Sequence, residues 1–499
     1  MKVLLTTLNS KYVHSNLALK YLYAAGKEAC GSLELREFTI NNSRDYIFTE
    51  LVTADCDAVC FSCYIWNIEK ILELAADLKK ARPRVSILLG GPEVSYDAEQ
   101  LLREHSFVDF ILTGEGEVSF PQWCEAFEKG ISYERAAGLV YRDEDTISVN
   151  QGSPQPVDFT AVSFPYENFP YETDRVIYYE SSRGCPFNCS YCISSLDKRV
   201  RSLPTERVKR ELDCFLDKGI RQVKFLDRTF NWEKERTLDI FRHLIARDNG
   251  STNFHFEICA DLLDDEMLAV LRGARKGLFQ FEIGIQSTNP ETLRAVRRSG
   301  DVGKVLENVS RLVELGNSHI HVDLIAGLPY EDYRTFRHSF NDVYALGADN
   351  LQLGFLKLLK GTAIRRDGEK YGYTYMSKAP YQIISNQFIS AQEICRLKQI
   401  ETVLDLYYNR GGFELTLASA ARELADTPFD FYEKLAEHYY SQGFQHRSHK
   451  KEDLYRILLQ FFEALGRSSR FLPMLEMDLE RTMNFDAVKK FKRKGWTIL

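Results

Sequence analysis

Strand and helix signals alternate twice along this chain, and a proline-rich stretch divides the two runs. Short apolar segments recur at 3–6, 33–40, 57–62, 85–89 and 107–112, with helical periodicity between them. In the helix expected over 68–81, Ile68, Ile71, Leu72, Ala75 and Leu78 share one face. Parallel strands joined by helices predict an α/β fold with a doubly wound sheet at the N-terminus. A hairpin is expected over 138–149, and the stretch Pro154 to Pro170 is the expected linker. The second alternation starts at Val176, with strands expected at 176–180, 221–226, 253–259, 279–284, 319–325 and 350–357. Six βα units fit a partial, TIM-like barrel, whereas a closed eight-unit barrel needs more chain. Beyond about Pro380 the pattern is mostly helical. The expected organisation is a Rossmann-like domain over 1–135, hairpin and linker over 136–171, a barrel over 172–380 and a helical region over 381–499.

The run Arg183-Gly-Cys185-Pro-Phe-Asn-Cys189-Ser-Tyr-Cys192 falls just after the first barrel strand. Its spacing is C-x3-C-x2-C, with no fourth cysteine or histidine close by. Zinc takes four ligands in a closed site. A 4Fe–4S cluster takes one ligand per iron, usually a cysteine thiolate, so three thiolates leave one iron open to a small molecule. The strand ahead of the triad puts it at the barrel edge where such folds build active sites. Cys185, Cys189 and Cys192 are therefore the expected ligands of a site-differentiated cluster.

Composition removes other classes. The chain has 499 residues, 44 % hydrophobic and 27 % charged, which is ordinary for a globular protein. Its formal charge of −7 gives no sign of nucleic-acid binding. No apolar run approaches the roughly 18 residues of a membrane span, and the first strand is too short for a secretory leader. The eleven cysteines lack disulfide-like spacing, which with a cluster implies a reducing, cytoplasmic setting. Cys56, Cys60 and Cys63 fall on or beside one strand, where alternation turns them to different sides, and buried free thiols are expected there. Cys259 and Cys395 are expected in the core. The basic tail 489–494 reads as a solvated helix end.

The cysteine run, with Tyr191 before its last cysteine, resembles the signature of the radical S-adenosylmethionine (SAM) superfamily. That resemblance implies that the open iron chelates the amino and carboxylate groups of SAM. Three loops of the first sheet, Ser62-Cys-Tyr-Ile-Trp-Asn67, Gly90-Gly-Pro-Glu93 and Thr113-Gly-Glu-Gly-Glu117, resemble those of the cobalamin-binding domain in cobalamin-dependent radical SAM enzymes. Ser62, Gly90, Gly91, Gly114, Gly116 and Glu117 are the cobalamin contacts the resemblance implies. The Asp-x-His-x-x-Gly motif of many cobalamin proteins is missing. The corresponding loop carries only His14, which is expected to start a helix and leave cobalt alone.

Strand ends of the barrel supply a SAM pocket. Asp227, Glu257 and Gln286 end its second, third and fourth strands, Asp323 lies on the fifth, and Arg298 follows a helix later. Gly284-Ile-Gln286-Ser and Asp323-Leu-Ile-Ala-Gly-Leu-Pro329 resemble runs of the oxygen-independent coproporphyrinogen dehydrogenase and its relatives. The resemblance gives Gln286 a ribose or methionine contact and Asp323 the ribose hydroxyls. Glu257 and Arg298 fit by order, Arg298 as a carboxylate partner, and Asp227 is the acceptor expected for the SAM amino group. No catalytic side chain is assigned.

The function implied is a cobalamin-dependent radical SAM enzyme, a methyltransferase that moves methyl from methylcobalamin to a substrate radical made by the 5′-deoxyadenosyl radical. Alternatives are a non-methylating oxidoreductase or cyclase, an RNA-modifying methylthiotransferase and a non-catalytic cobalamin or redox sensor. The expected partners are a small-molecule substrate and a low-potential electron donor. The helical region resembles an extension on some bacterial members and is expected to cap the barrel mouth.

Overall fold

The computed structural model describes residues 1–144, 146–150, 156–172 and 174–496. Residues 2–149 form one sheet with helices on both faces. Its strands are β1 (Lys2–Asn9), β2 (Ser32–Thr39), β3 (Ala58–Ser62), β4 (Ser86–Gly90), β5 (Phe110–Leu112), β6 (Leu139–Asp143) and β7 (Thr146–Val149). Between them run α1 (Leu17–Gly26), α2 (Arg44–Thr53), α3 (Ile68–Ala81), α4 (Ala98–Glu104) and α5 (Gly116–Lys129). The order is β2-β1-β3-β4-β5-β6-β7. The first five strands are parallel, as the alternation predicts. The hairpin β6–β7 does more than connect, because it pairs antiparallel with β5 and extends the sheet. α3 buries Ile68, Ile71, Leu74, Ala75 and Leu78, with Leu74 taking the place expected of Leu72.

The expected linker begins at Pro154, outside the described residues. From 156 onward it is packed against the barrel, since Phe159, Phe164 and Tyr166 join the core around Phe215. The barrel strands are β8 (Ile177–Tyr179), β11 (Gln222–Phe225), β12 (Asn253–Glu257), β13 (Phe279–Gln286), β14 (His319–Ala326) and β15 (Asn350–Phe355). Between β8 and β11, the two-residue strands β9 (Ser182–Arg183) and β10 (Arg201–Ser202) pair and close the base of the cysteine loop. The six parallel strands stand in order β15-β14-β13-β12-β11-β8, an open barrel. Helices α6 (Thr205–Asp217), α7 (Lys234–Ala246), α8 (Asp265–Arg272), α9 (Pro290–Ala295), α10 (Val302–Leu315) and α11 (Tyr333–Tyr344) intervene.

Alternation sorts these strands sharply. Val223, Phe225, Phe254, Phe256, Phe279, Phe281, Ile283, Val322 and Leu324 are buried in the apolar core, and the aromatic rings among them pack closely, Phe225 and Phe256 with centroids 4.5 Å apart. The alternate positions carry Lys224, His255, Glu257, Glu282, His321 and Asp323. Parallel sheets covered on both faces are normally apolar on both, so the charged inner face marks the place where this barrel does chemistry.

One expectation is corrected. Cys30 and Cys124, 94 residues apart, are joined in a disulfide with Cα atoms 5.5 Å apart, because α1 packs on α5. Sequence spacing carries no trace of that contact. The start of the helical region reaches the loop after β14, where Asn386 donates to the Gly327 carbonyl at 3.0 Å, and its helices pack on the side of the barrel. Its helix Pro428–Ser441 packs on α11 through Phe429 against Tyr333 and Phe340. Asn409 exchanges hydrogen bonds of 2.9 and 3.1 Å with the backbone of Leu351 and so covers the edge strand β15. An exposed edge strand is an aggregation hazard, and this is the feature the region covers.

Candidate active site

Two cavities meet where the first sheet faces the barrel. The larger, about 1080 Å³, lies on the C-terminal edge of the first sheet. That edge is where open α/β sheets take ligands, and the volume exceeds the roughly 300–1,000 Å³ of small-ligand pockets. Ser62, Gly90, Gly91, Gly114, Gly116, Glu117 and His14 all line it. Gly91 has φ +104, and a Cβ there would come within 2.6 Å of the Cys63 carbonyl oxygen. Only glycine fits that turn. Gly116 is small for another reason, since a Cβ there would meet Leu22 of α1 at 2.6 Å. Tyr64 and Trp66 stack with centroids 4.4 Å apart, Trp66 donating to the Leu8 carbonyl at 3.2 Å. They give this cavity a flat aromatic wall.

Glu117 is taken up by Arg183, which also pairs with Glu180 at 2.9 Å. Burial pushes the Glu180 carboxyl up to about 7. Arg183 and Arg201 hold Glu115 and Glu117 of the first domain against the base of the cysteine loop. His14 puts Nδ1 2.7 Å from the Tyr178 hydroxyl, and burial lowers its pKa.

The smaller cavity, about 220 Å³, contains Cys185, Cys189 and Cys192 together with Glu257, Glu282, Gln286, Arg298 and Asp323. Among the described residues no three His, Cys, Asp or Glu side chains converge on a single ion. A cluster spreads its thiolates over separate irons, so the triad suits a cluster and not a zinc knuckle. Gln286 has φ +73 and folds its amide over Gly284, where a Cβ would clash with it. A bulge at Ile285, where β13 slips against β14, allows this turn. The Gly-x-Gln spacing thus has a steric cause. The Oε1 of Gln286 and Oδ1 of Asp323 are buried without a hydrogen bond, which is costly unless a ligand fills the place. Asp323 Oδ1 lies 3.1 Å from His321 Nε2 at a poor angle. Burial raises the Asp323 carboxyl, while on His321 the nearby carboxylate outweighs burial and raises the ring. Burial also disfavours ionised Glu282, yet His255 at 3.1 Å and Lys224 at 2.9 Å hold it well below the usual range. Arg298 reaches Tyr191 at 3.4 Å, Cys189 Sγ at 3.8 Å and the Gly284 carbonyl.

Asp227 does not line this cavity. It is fully buried and accepts from the Ser181 amide at 2.8 Å and from the Ser181 and Ser182 hydroxyls at 2.6 Å each. Its lone pairs are spent on fixing the strand end ahead of the cysteines, so it is not free for the SAM amino group.

Arg228 and Ser194 line both cavities. The two cavities therefore lie side by side, with these two residues between them.

Three family models match the chain in this order: a B12 binding domain over 3–123, the radical SAM superfamily over 179–343, and a family described as protein of unknown function (DUF4080) over 369–496. The chain thus carries a B12-binding segment followed by a radical SAM segment. It is 26% identical to an uncharacterized methyltransferase of Pyrococcus horikoshii over 57% of this chain and 63% of that one. It is 25% identical to the cobalamin-dependent radical SAM methyltransferase TokK of Streptomyces tokunonensis, over 65% of this chain and 50% of TokK. The chain thus spans one half to under two thirds of these relatives' lengths. Its fold matches the cobalamin-dependent S-adenosylmethionine radical enzyme OxsB with TM-score 0.67 at 15% identity, covering 99% of this chain and 83% of that one. It matches the radical SAM methyltransferase TsrM of Kitasatospora setae with TM-score 0.61 at 16% identity, covering 76% and 79%.

Around the two cavities, residues passed over in the sequence now stand out. Arg228 sits in the quoted run beside Asp227, and alternation allows only one of two neighbours to face a ligand. Trp66 and Tyr178 are apolar-looking positions whose exposure to a cavity only the fold reveals.

Proposed function

We propose that this chain is a cobalamin-dependent radical SAM methyltransferase acting on a small molecule. The observation that carries it is the adjacency of the large sheet-edge cavity and the cysteine pocket, which share Arg228 and Ser194 in their linings. When bound, the cluster with SAM would supply hydrogen abstraction, and the corrinoid would supply the methyl group. In this reading the chain's own residues bind, orient and shield. Cys185, Cys189 and Cys192 hold the cluster. Gln286 and Asp323, with their unfilled acceptors, take polar hydrogens of SAM. Arg298 backs the cluster loop and takes the SAM carboxylate, and Glu257 faces the ammonium. The glycines at 90, 91 and 114 admit the corrinoid backbone-close, beside the Tyr64–Trp66 wall. Tyr178 holds His14 by its Nδ1.

No helix among the described residues is long and apolar enough to cross a membrane. Against a methylthiotransferase reading, Cys56 and Cys63 are buried in one apolar cluster of the first domain and Cys60 in another, so the three do not face a common site. The test is anaerobic reconstitution with iron, sulfide and hydroxocobalamin, then incubation with methyl-deuterated SAM, a reductant and a metabolite extract. A product heavier by a deuterated methyl, formed with 5′-deoxyadenosine, is expected. 5′-Deoxyadenosine without any methylated product would replace methyl transfer with another radical outcome.

A further inference from the structure

Resting on that reading, the substrate would sit where the two cavities adjoin, because the corrinoid would be held in one and the cluster with SAM in the other. Two described residues line both, Ser194 and Arg228. Arg228, its side chain 47 % exposed, differs from the less exposed arginines around it. Arg183, Arg201, Arg236 and Arg298 each donate at least one side-chain hydrogen bond. The Arg228 guanidinium donates none among the described residues, and its nearest carboxylate is Glu257 Oε1 at 3.7 Å. Five donors in a fixed fork therefore face the cavities with their hydrogen-bonding capacity unused.

The side chain is also aimed. Its neighbour Asp227 is pinned by three hydrogen bonds from Ser181 and Ser182, and Arg236 Nη2 donates to the Ser181 hydroxyl at 2.8 Å. On the other side Thr229 Oγ1 lies 3.7 Å from Cys185 Sγ. With Asp227 locked into the strand-end interior, Arg228 turns the opposite way, into the junction. Glu257 balances part of its charge, and Glu180, on the wall of the larger cavity, is a second carboxyl nearby in the same lining. Glu180 is committed to Arg183, and one guanidinium with a carboxylate already 3.7 Å away favours a monoanion over a phosphate dianion.

We propose that Arg228 is the substrate anchor and that the substrate carries a carboxylate, received by the Arg228 fork at the junction of the two cavities. The planar guanidinium matches a carboxylate bidentately, so binding there also fixes the substrate's orientation between the two sites.

The experiment is calorimetric titration of the reconstituted, cobalamin-loaded and SAM-bound protein with benzoate and with inorganic phosphate, for wild type and Arg228→Gln. Benzoate should bind one per chain and more tightly than phosphate. Arg228→Gln should weaken benzoate at least about tenfold while leaving the SAM dissociation constant within about twofold. Equal benzoate binding in both proteins, or none in wild type, would overturn the anchor. Phosphate binding tighter than benzoate would overturn the carboxylate class. Loss of SAM affinity in Arg228→Gln would show that the arginine serves the carboxylate of SAM itself and overturn the proposal. A titration that behaves as expected while no extract yields a methylated product would strike the methyl-transfer reading and leave the anion site standing.

Discussion

The two cavities recognise by different means. The sheet-edge cavity is shaped by backbone and rings: a glycine that admits no Cβ, two further glycines and a stacked Tyr64–Trp66 wall. Its charged residues are mostly spent on each other, Arg183 on Glu117 and Glu180. The cysteine pocket is built from side chains held at a cost, with Gln286 at positive φ and buried acceptors on Gln286 and Asp323 left open. A large group with a broad surface can be held by shape and many weak contacts. A small charged ligand needs a few strong, pre-placed partners, and their desolvation makes each one matter more. Substitutions in the small pocket should therefore act steeply, and single side-chain losses in the large one weakly.

The steepest effect is expected at the thiols. Replacing Cys185, Cys189 and Cys192 together by alanine should abolish the broad absorption near 400 nm of the reconstituted protein and all SAM cleavage, while cobalamin uptake by the other cavity persists. Full iron content in that variant would break the assignment and turn attention to Cys259, which lines the same pocket.

Next is Asp323→Asn. Loss of a charge-assisted hydrogen bond costs about 1.5–3 kcal/mol, so SAM should bind roughly ten- to a hundredfold more weakly with iron content unchanged. An unaltered dissociation constant, measured by equilibrium dialysis, would show that the orphaned Oδ1 meets something other than SAM.

Glu331 tests the support beneath this pocket. It is buried and accepts from Ser287 at 2.5 Å and Ser339 at 2.9 Å, just behind Gln286. Burial pushes its carboxyl up to about 7 from the usual 4.5. The folded form then keeps its proton where the unfolded form has lost it, so stability falls as pH rises from about 4.5 to 7. At about 1.4 kcal/mol per pH unit the loss approaches ~3 kcal/mol. Glu331→Gln, which cannot ionise, should flatten that slope and unfold at a higher temperature than wild type at pH 8. A melting curve with the same pH dependence in both proteins would exclude Glu331 as its source.

How much of this was legible in the sequence follows the same division. The βα alternation and the cysteine spacing are local patterns, and the parallel strands and the shared pocket of the three cysteines follow them closely. Gly-x-Gln was readable as a motif, but its reason, the amide of Gln286 lying over Gly284, needs the bulge at Ile285. Asp227 and Arg228 show the limit. Both are polar and adjacent at a strand end, and only the positions of Ser181 and Ser182, 45 or more residues away, decide which is buried. The Cys30–Cys124 pair and the packing of the helical region on β15 likewise depend on contacts between distant segments.

The smallest effect is expected at His14, and it sharpens the claim that the large cavity binds by shape. His14 lines that cavity but is held elsewhere: its backbone pairs with Val176, and its Nδ1 lies 2.7 Å from the Tyr178 hydroxyl. Burial raises the Tyr178 phenol to about 12, so at neutral pH it keeps a proton to donate. A donated bond to Nδ1 places the imidazole proton on Nε2, which removes the lone pair a metal would use. Burial also lowers the His14 pKa, so the ring is neutral and fixed in that tautomer. His14→Ala should therefore leave the electron paramagnetic resonance spectrum of the cobalt(II) form unchanged and reduce hydroxocobalamin uptake by less than about tenfold, under the ~1.4 kcal/mol that factor represents. Nitrogen superhyperfine splitting in the wild-type spectrum that vanishes in His14→Ala would make His14 a ligand, and the large cavity would then depend on a single strong side chain as the small one does.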